Sequence, residues 1–243
     1  MTNTSKRDRF RLISENIERV GHHVAVVQQS TVPRFGYTIG LKNSVGFELI
    51  LAGGSIFLLD ELIEIMNSIA RNCKERVFSS SHNIKAGSHG VFALRRSHAS
   101  WVEMLMLGAI DFFDDPAIET YQIRPDPAHI TIDVPDFAVA WSPQREPAWR
   151  WLRESWELPI PSTSTALTSL AALRGERITE ASRWELDEWE MFAGSGPDTP
   201  SDEVRVVPIG TLLAVDGTLE SVISLDVGKS LWRDANDTEW NEW

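Results

Sequence analysis

Between positions 35 and 54 apolar residues alternate and are punctuated by glycine. The run reads Phe35-Gly36-Tyr37-Thr38-Ile39-Gly40-Leu41, a polar turn at Lys42-Asn43-Ser44, then Phe47-Glu48-Leu49-Ile50-Leu51-Ala52-Gly53-Gly54. A period of two predicts two β-strands joined at that turn. Phe35, Tyr37, Ile39 and Leu41 fall on one face; Gly36, Thr38 and Gly40 fall on the other. A face of glycine and threonine lets a neighbour approach the backbone closely, either a packed element such as a helix or a ligand.

Upstream, Phe10, Ile13, Ile17 and Val20 recur at helical spacing and predict an amphipathic helix over 8–20, closed by Gly21. A strand follows at 22–28 and a turn containing Pro33 at 30–34. Downstream, Ser55 is expected to cap a helix over 56–74 with a stripe of Leu58, Leu59, Leu62, Ile65, Met66 and Ile69. Residues 79–90 read as a loop, 91–95 as a strand and 100–113 as one helix stopped by Asp114-Asp115-Pro116. A strand at 119–124 places Tyr121 and Ile123 on one side. Pro125-Asp126-Pro127 reads as a turn and 130–134 as another alternating strand. Residues 146–156 hold Trp149, Trp151 and Trp156.

The Pro/Ser/Thr-rich stretch 159–168 reads as a linker between domains 1–158 and 169–243. Beyond it, strands are expected at 177–182, 189–192, 204–207 and 227–233. A turn lies at 185–188, a Gly/Pro loop at 194–202, and a short helix over 209–215 behind Pro208. The predicted class is α+β: a larger mixed-sheet domain with flanking helices and a small, acidic, β-rich domain with one short helix.

The 243 residues are 42% hydrophobic, enough for a real core. No apolar run approaches the ~20 residues of a membrane span, so no membrane association is expected. The polar opening, 1–11, has no secretory pattern. A single cysteine, Cys73, rules out an intramolecular disulfide, fits a reducing cytoplasm and is expected to be inert.

Charge sharpens the division. Residues 180–243 carry 15 Asp/Glu against 4 Lys/Arg, a net −11 of the chain's −12. So acidic a segment is a poor nucleic-acid ligand, because phosphate contacts need Lys and Arg. It suits either a solvated surface or a basic protein partner drawn in by long-range attraction.

The usual chemical signatures are missing. The histidines, His22, His23, His82, His89, His98 and His129, show no metal-ligand spacing, and no metal or cofactor is expected. Ser79-Ser80-Ser81-His82 sets hydroxyls beside an imidazole in sequence, but a triad is a matter of space. Asp114/Asp115 and Asp187/Glu188 sit at turns. Gly194-Ser195-Gly196-Pro197 is acid-flanked and makes a poor phosphate cradle, and no dinucleotide or P-loop fingerprint occurs. Trp184, Trp189, Trp232, Trp240 and Trp243 read either as interface anchors or as the core of a small domain.

Two resemblances follow from particular residues. Over residues 10 to about 152, the set Ile17, Gly21, Val24, Phe35, Tyr37, Thr38, Gly40 and Leu41, with Gln122-Ile123-x-Pro125-Asp126, resembles a bacterial family of unknown function. Many of its members have His-Pro-Glu-Leu after the first strand; this chain has Gly46-Phe47-Glu48-Leu49, so any role of that histidine does not transfer. Over 177 to about 234, Trp189-Glu190-x-Phe192-x-Gly194, Pro208-x-x-Thr211-Leu212-Leu213, Asp216, Leu219 and Gly228-x-x-Leu231-Trp232-Arg233 are similar to immunity proteins of bacterial toxin systems. That resemblance implies a cytoplasmic binding protein that neutralises a toxin by direct contact.

The expected partner surface is Trp184, Glu185, Asp187, Glu188, Asp198, Asp202 and Glu203, facing a basic toxin. The alternative is an enzyme or small-ligand binder in the first domain. Its pocket would lie beside Gly36, Thr38 and Gly40, near Tyr37 and His22 or His23, with a flavin-binding barrel as one form.

Overall fold

The computed structural model describes residues 3–75 and 83–243. The Ser79-Ser80-Ser81-His82 run, the start of the loop expected over 79–90, lies outside the described residues. In the first half the order is α1 (Asn3–Val20), β1 (His23–Val27), β2 (Phe35–Ile39), α2 (Lys42–Val45), β3 (Glu48–Ala52), α3 (Leu59–Glu75), β4 (Asn83–Lys85), β5 (Val91–Arg96), α4 (Ala99–Leu105), α5 (Leu107–Phe113) and β6 (Thr120–Pro125). The second half has β7 (Thr165–Ser169), α6 (Leu170–Leu173), β8 (Glu180–Arg183), β9 (Glu188–Phe192), β10 (Val204–Pro208), α7 (Ile209–Leu213), β11 (Lys229–Trp232) and β12 (Asn241–Glu242). The class is α+β, with two mixed six-stranded sheets ordered β1-β2-β3-β6-β5-β4 and β10-β7-β9-β8-β11-β12. Both sheets are open, so the barrel considered for a flavin is not the fold.

Each sheet contains one parallel pair, β3 with β6 and β7 with β9. The first sheet is covered on both faces. Phe35, Tyr37 and Ile39 of β2 join Ile50 and Ala52 of β3 under α1, α4 and α5. Leu49 and Leu51 of β3, with Phe92, Leu94 and Ile123, meet Leu62, Ile65, Met66, Ile69 and Ala70 of α3 on the other side. Leu41 departs from the expected alternation. The strand ends at Ile39, Gly40 turns the chain at φ +100°, and Leu41 packs on the α3 side.

The expected helix over 100–113 is two helices broken at Met106, whose backbone leaves the helical region at φ −96°, ψ +34°. The helix after β3 begins at Leu59 rather than Ile56. Ser55 does not cap it, because its hydroxyl donates to buried Asp133 at 2.6 Å while Glu61 accepts the Leu58 N–H at 2.7 Å.

Residues 130–134 alternate like a strand but form none. Asp133 accepts bonds from Ser55 and Thr131, and the Asp133 carbonyl lies 2.0 Å from where a Cβ on Gly53 would stand. The segment therefore lies across the glycine turn after β3, held by its polar side chain. Asn83–Lys85, expected as loop, pairs with β5.

The second sheet corrects the linker. Residues 165–168 belong to β7, which is hydrogen-bonded between β10 and β9, and Ile160 is buried in the second core. The second half also has two short helices, α6 and α7, where one was expected. Ala166, Ala181, Trp189, Met191 and Val207 fill its core against Ile209, Leu212, Leu219 and Val222.

Contacts tie the two sheets together. The Arg205 guanidinium donates to the Ile56 carbonyl at 2.9 and 3.1 Å, and Ile132 N–H donates to the Leu173 carbonyl at 2.9 Å. Gly210 of α7 lies against Trp151 and Trp156, where a Cβ would stand 2.6 Å from the Trp151 indole nitrogen. The tryptophan-rich segment thus serves as the seam between the halves.

Candidate functional site

The glycine-threonine face of β2 is filled by the protein itself. A Cβ on Gly36 would stand 2.9 Å from both Leu62 Cδ2 and Met66 Sδ of α3, and one on Gly40 would stand 2.5 Å from Ile17 Cγ1 of α1. Thr38 donates to Glu48 at 2.5 Å and accepts the Leu49 N–H at 2.8 Å. Glu48 is fully buried and also accepts from the Gly40 and Lys42 N–H groups at 2.8 and 3.1 Å. Burial raises its pKa against the opposing hydrogen bonds. Tyr37 Oη accepts the Gly108 N–H at 3.1 Å, at the start of α5. The motif therefore fastens a turn and two helices and leaves no space beside Gly36 or Gly40. Tyr37→Phe, which strips this acceptor, is expected to cost about 1 kcal/mol in urea unfolding.

Among the described residues, two concavities bear on the expected sites. One lies on the open face of the second sheet. Alternation sends Trp189 and Met191 inward and leaves Glu188, Glu190 and Phe192 on the outer side. Glu190 pairs across to Ser182, Ser182 to Ser230, and Glu180 to Phe192. A shallow groove of about 180 Å³ runs over these positions, bounded by Trp184, by Gly196-Pro197 and by Trp243.

Trp184 and Trp243 are 52% and 76% exposed, and Trp232 beside Trp243 is 37% exposed, so the core reading holds for Trp189 but not for Trp232. Glu180 accepts the Gly196 N–H at 2.9 Å. Among the described residues Glu190 has no hydrogen-bond or ionic partner, and no lysine or arginine lines the groove.

The expected acidic surface splits in two. Trp184, Glu185, Asp187 and Glu188 sit at the β8–β9 turn. Asp198, Asp202 and Glu203 follow the far end of β9, about 13 Å away at the usual strand rise. The groove joins the two ends. Sequence reasoning missed its floor, Glu180, Ser182, Glu190 and Phe192, although the alternation Glu188-Trp189-Glu190-Met191-Phe192 carried the signal.

The second concavity, about 610 Å³, lies where the end of α1 meets α3 and is lined by Arg19, Val20, His22, Glu64, Asn67, Ser68, Arg71 and Lys74. His22 is 5% exposed, and its Nε2 pairs with Asn67 Oδ1 at 2.9 Å. Burial lowers the His22 pKa, and Lys74 and Arg71 lower it further against the bond to Asn67. Lys74 Nζ donates to the Val20 carbonyl at 2.7 Å. His23 is turned elsewhere, its Nδ1 3.0 Å from Asn16 Nδ2. Of the expected pocket residues only His22 lines this cleft; Gly36, Tyr37, Thr38 and Gly40 do not.

Cys73 is buried, and burial pushes its thiol up to about 11, which leaves it inert near neutrality. Among the described residues no three metal-binding side chains gather, and no helix is long and apolar enough to cross a membrane.

Comparison with curated proteins and with solved structures found no match. The family model that does match falls on the first sheet and its helices, around the Tyr37-Thr38 motif. Residues 16–130 match the model of a domain of unknown function, DUF4262.

Proposed function

We propose that the second half of the chain is a protein-binding unit that takes a basic segment of its partner across the open face of the β7–β12 sheet. The observation that carries this is the groove, where exposed Trp184 and Trp243 flank the unpaired carboxylate of Glu190. At about 180 Å³ it is smaller than the ~300–1,000 Å³ of ordinary small-molecule sites. It suits one or two side chains of a larger partner.

An arginine or lysine entering it meets aromatic faces and a carboxylate together, which combines cation–π attraction with an ion pair. Acids at both ends of the groove and the net −11 of residues 180–243 extend that preference over a wider surface. The resemblance to immunity proteins names the partner class: a basic toxin, masked by direct contact.

The test is calorimetric titration with a basic protein encoded beside this gene, at low and moderate salt. Binding should weaken with salt, and Trp184→Ala or Glu190→Gln should weaken it at least tenfold without changing the melting temperature. Failure of every such neighbour to bind, or affinity indifferent to both substitutions, overturns the proposal.

A further inference from the structure

The cleft between α1 and α3 is electrostatically the reverse of the groove. Arg19, Arg71 and Lys74 line it with a single carboxylate, Glu64, in a chain whose net charge is −12. Glu64 is already engaged, its Oε2 3.0 Å from His89 Nε2. Arg19 is tied to Asn16 at 2.7 Å through one nitrogen, and Lys74 to the Val20 carbonyl through one of its three hydrogens. Arg71 has no hydrogen-bond or ionic partner among the described residues. Asn67 offers its oxygen to His22, which leaves its amide hydrogens to face a ligand, and Ser68 adds a hydroxyl. Cations held close together without matching anions repel one another, so an anion entering here relieves a standing cost.

We infer that this cleft binds a phosphorylated small molecule, its phosphate held by Arg71, Arg19 and Lys74 with Asn67 and Ser68 as neutral donors. Three cations against one engaged carboxylate match a dianionic phosphate monoester better than a singly charged carboxylate. The guanidinium fork fits phosphate oxygens in pairs, while the lysine acts as a point charge. The volume of about 610 Å³ exceeds what a bare phosphate fills and leaves room for the organic part. The site is independent of the groove on the second sheet and of any protein partner.

The experiment is titration of the full chain, followed by calorimetry and by amide chemical shifts, with inorganic phosphate, ribose 5-phosphate, adenosine 5′-monophosphate and uncharged adenosine. The two phosphate esters should bind, inorganic phosphate should bind more weakly, and adenosine should not bind. Shifts should centre on residues 19–22 and 67–74.

Arg71→Ala should weaken the esters at least tenfold. Ser68→Asp, which adds a negative charge at a half-buried helix position, should do the same with the fold intact by circular dichroism. No binding up to millimolar concentration overturns the inference. So does phosphate binding that matches the esters and ignores both substitutions, which marks an adventitious ion only. Adenosine binding as tightly as its monophosphate also overturns it, since the cations would then play no part.

Discussion

Glu48→Ala is expected to lower the unfolding free energy by roughly 3–5 kcal/mol, because it strands several buried donors that each cost about 1–3 kcal/mol when unpaired. Thr38 Oγ1, Gly40 N–H and Lys42 N–H all end on this one carboxyl, and together they fix the turn between β2 and β3. Glu48→Gln keeps an oxygen for the two N–H groups and a polar atom beside Thr38, and should lose far less. The pH dependence separates the charge from the bonds. The native pKa of Glu48 lies above its ordinary value because burial disfavours the ion. Stability is therefore greater below the unfolded-state pKa and falls as the pH rises from there through the native value. Glu48→Gln should flatten that part of the curve. Urea unfolding of the three proteins across the acid range measures both effects.

Arg233→Met is expected to cost about 3 kcal/mol, also by urea unfolding. The Arg233 side chain is wholly buried and donates to Asp216 at 2.7 Å, to Thr218 at 2.6 Å and to the Ile178 carbonyl at 2.8 Å, with its plane over Trp240 at 4.2 Å. Breaking a buried pair from one side typically costs about 3–5 kcal/mol. The lower figure applies because Asp216 keeps an edge on solvent.

Burial alone would raise the Asp216 pKa, but the bonds from Thr218 and Arg233 outweigh it and hold the carboxyl below its ordinary value. Its contribution is then present above the unfolded-state carboxylate pKa and is lost as the pH falls through the native one. In Arg233→Met that acid loss should begin at higher pH. The double variant Asp216→Asn with Arg233→Met should recover part of the deficit, since no lone charge remains.

What the sequence showed follows from which forces are local. The stripe from Leu62 to Ile69 and the alternation at Phe35, Tyr37 and Ile39 are set by burial and period, and both appear in the cores. In two of the misread stretches, polar side chains overrule the pattern. Ile130 to Val134 alternates, yet Asp133 ties it to Ser55 and lays it over Gly53. Thr165 to Thr168 has linker composition, yet Thr168 is buried with its hydroxyl on the Met191 carbonyl at 2.6 Å.

The two concavities were legible in unequal measure. Trp184 and the acids of the β8–β9 turn stood out by composition, whereas Glu190 was missed although the alternation of β9 carried it. The cationic cleft brings Arg19 beside Arg71 and Lys74 across about fifty residues of sequence. The i, i+4, i+7 spacing of Asn67, Arg71 and Lys74 on α3 hinted at one side only. Nothing local said that the end of α1 would lie next to it.

The proposal that the second sheet's open face meets a basic partner is tested most directly by hydroxyl-radical footprinting of the chain alone and in complex with such a protein. Trp184 and Trp243 are accessible in the free chain and should lose most of their reactivity on binding, while the cleft residues around Arg71 stay unchanged. Undiminished labelling of both tryptophans in a formed complex would contradict that proposal.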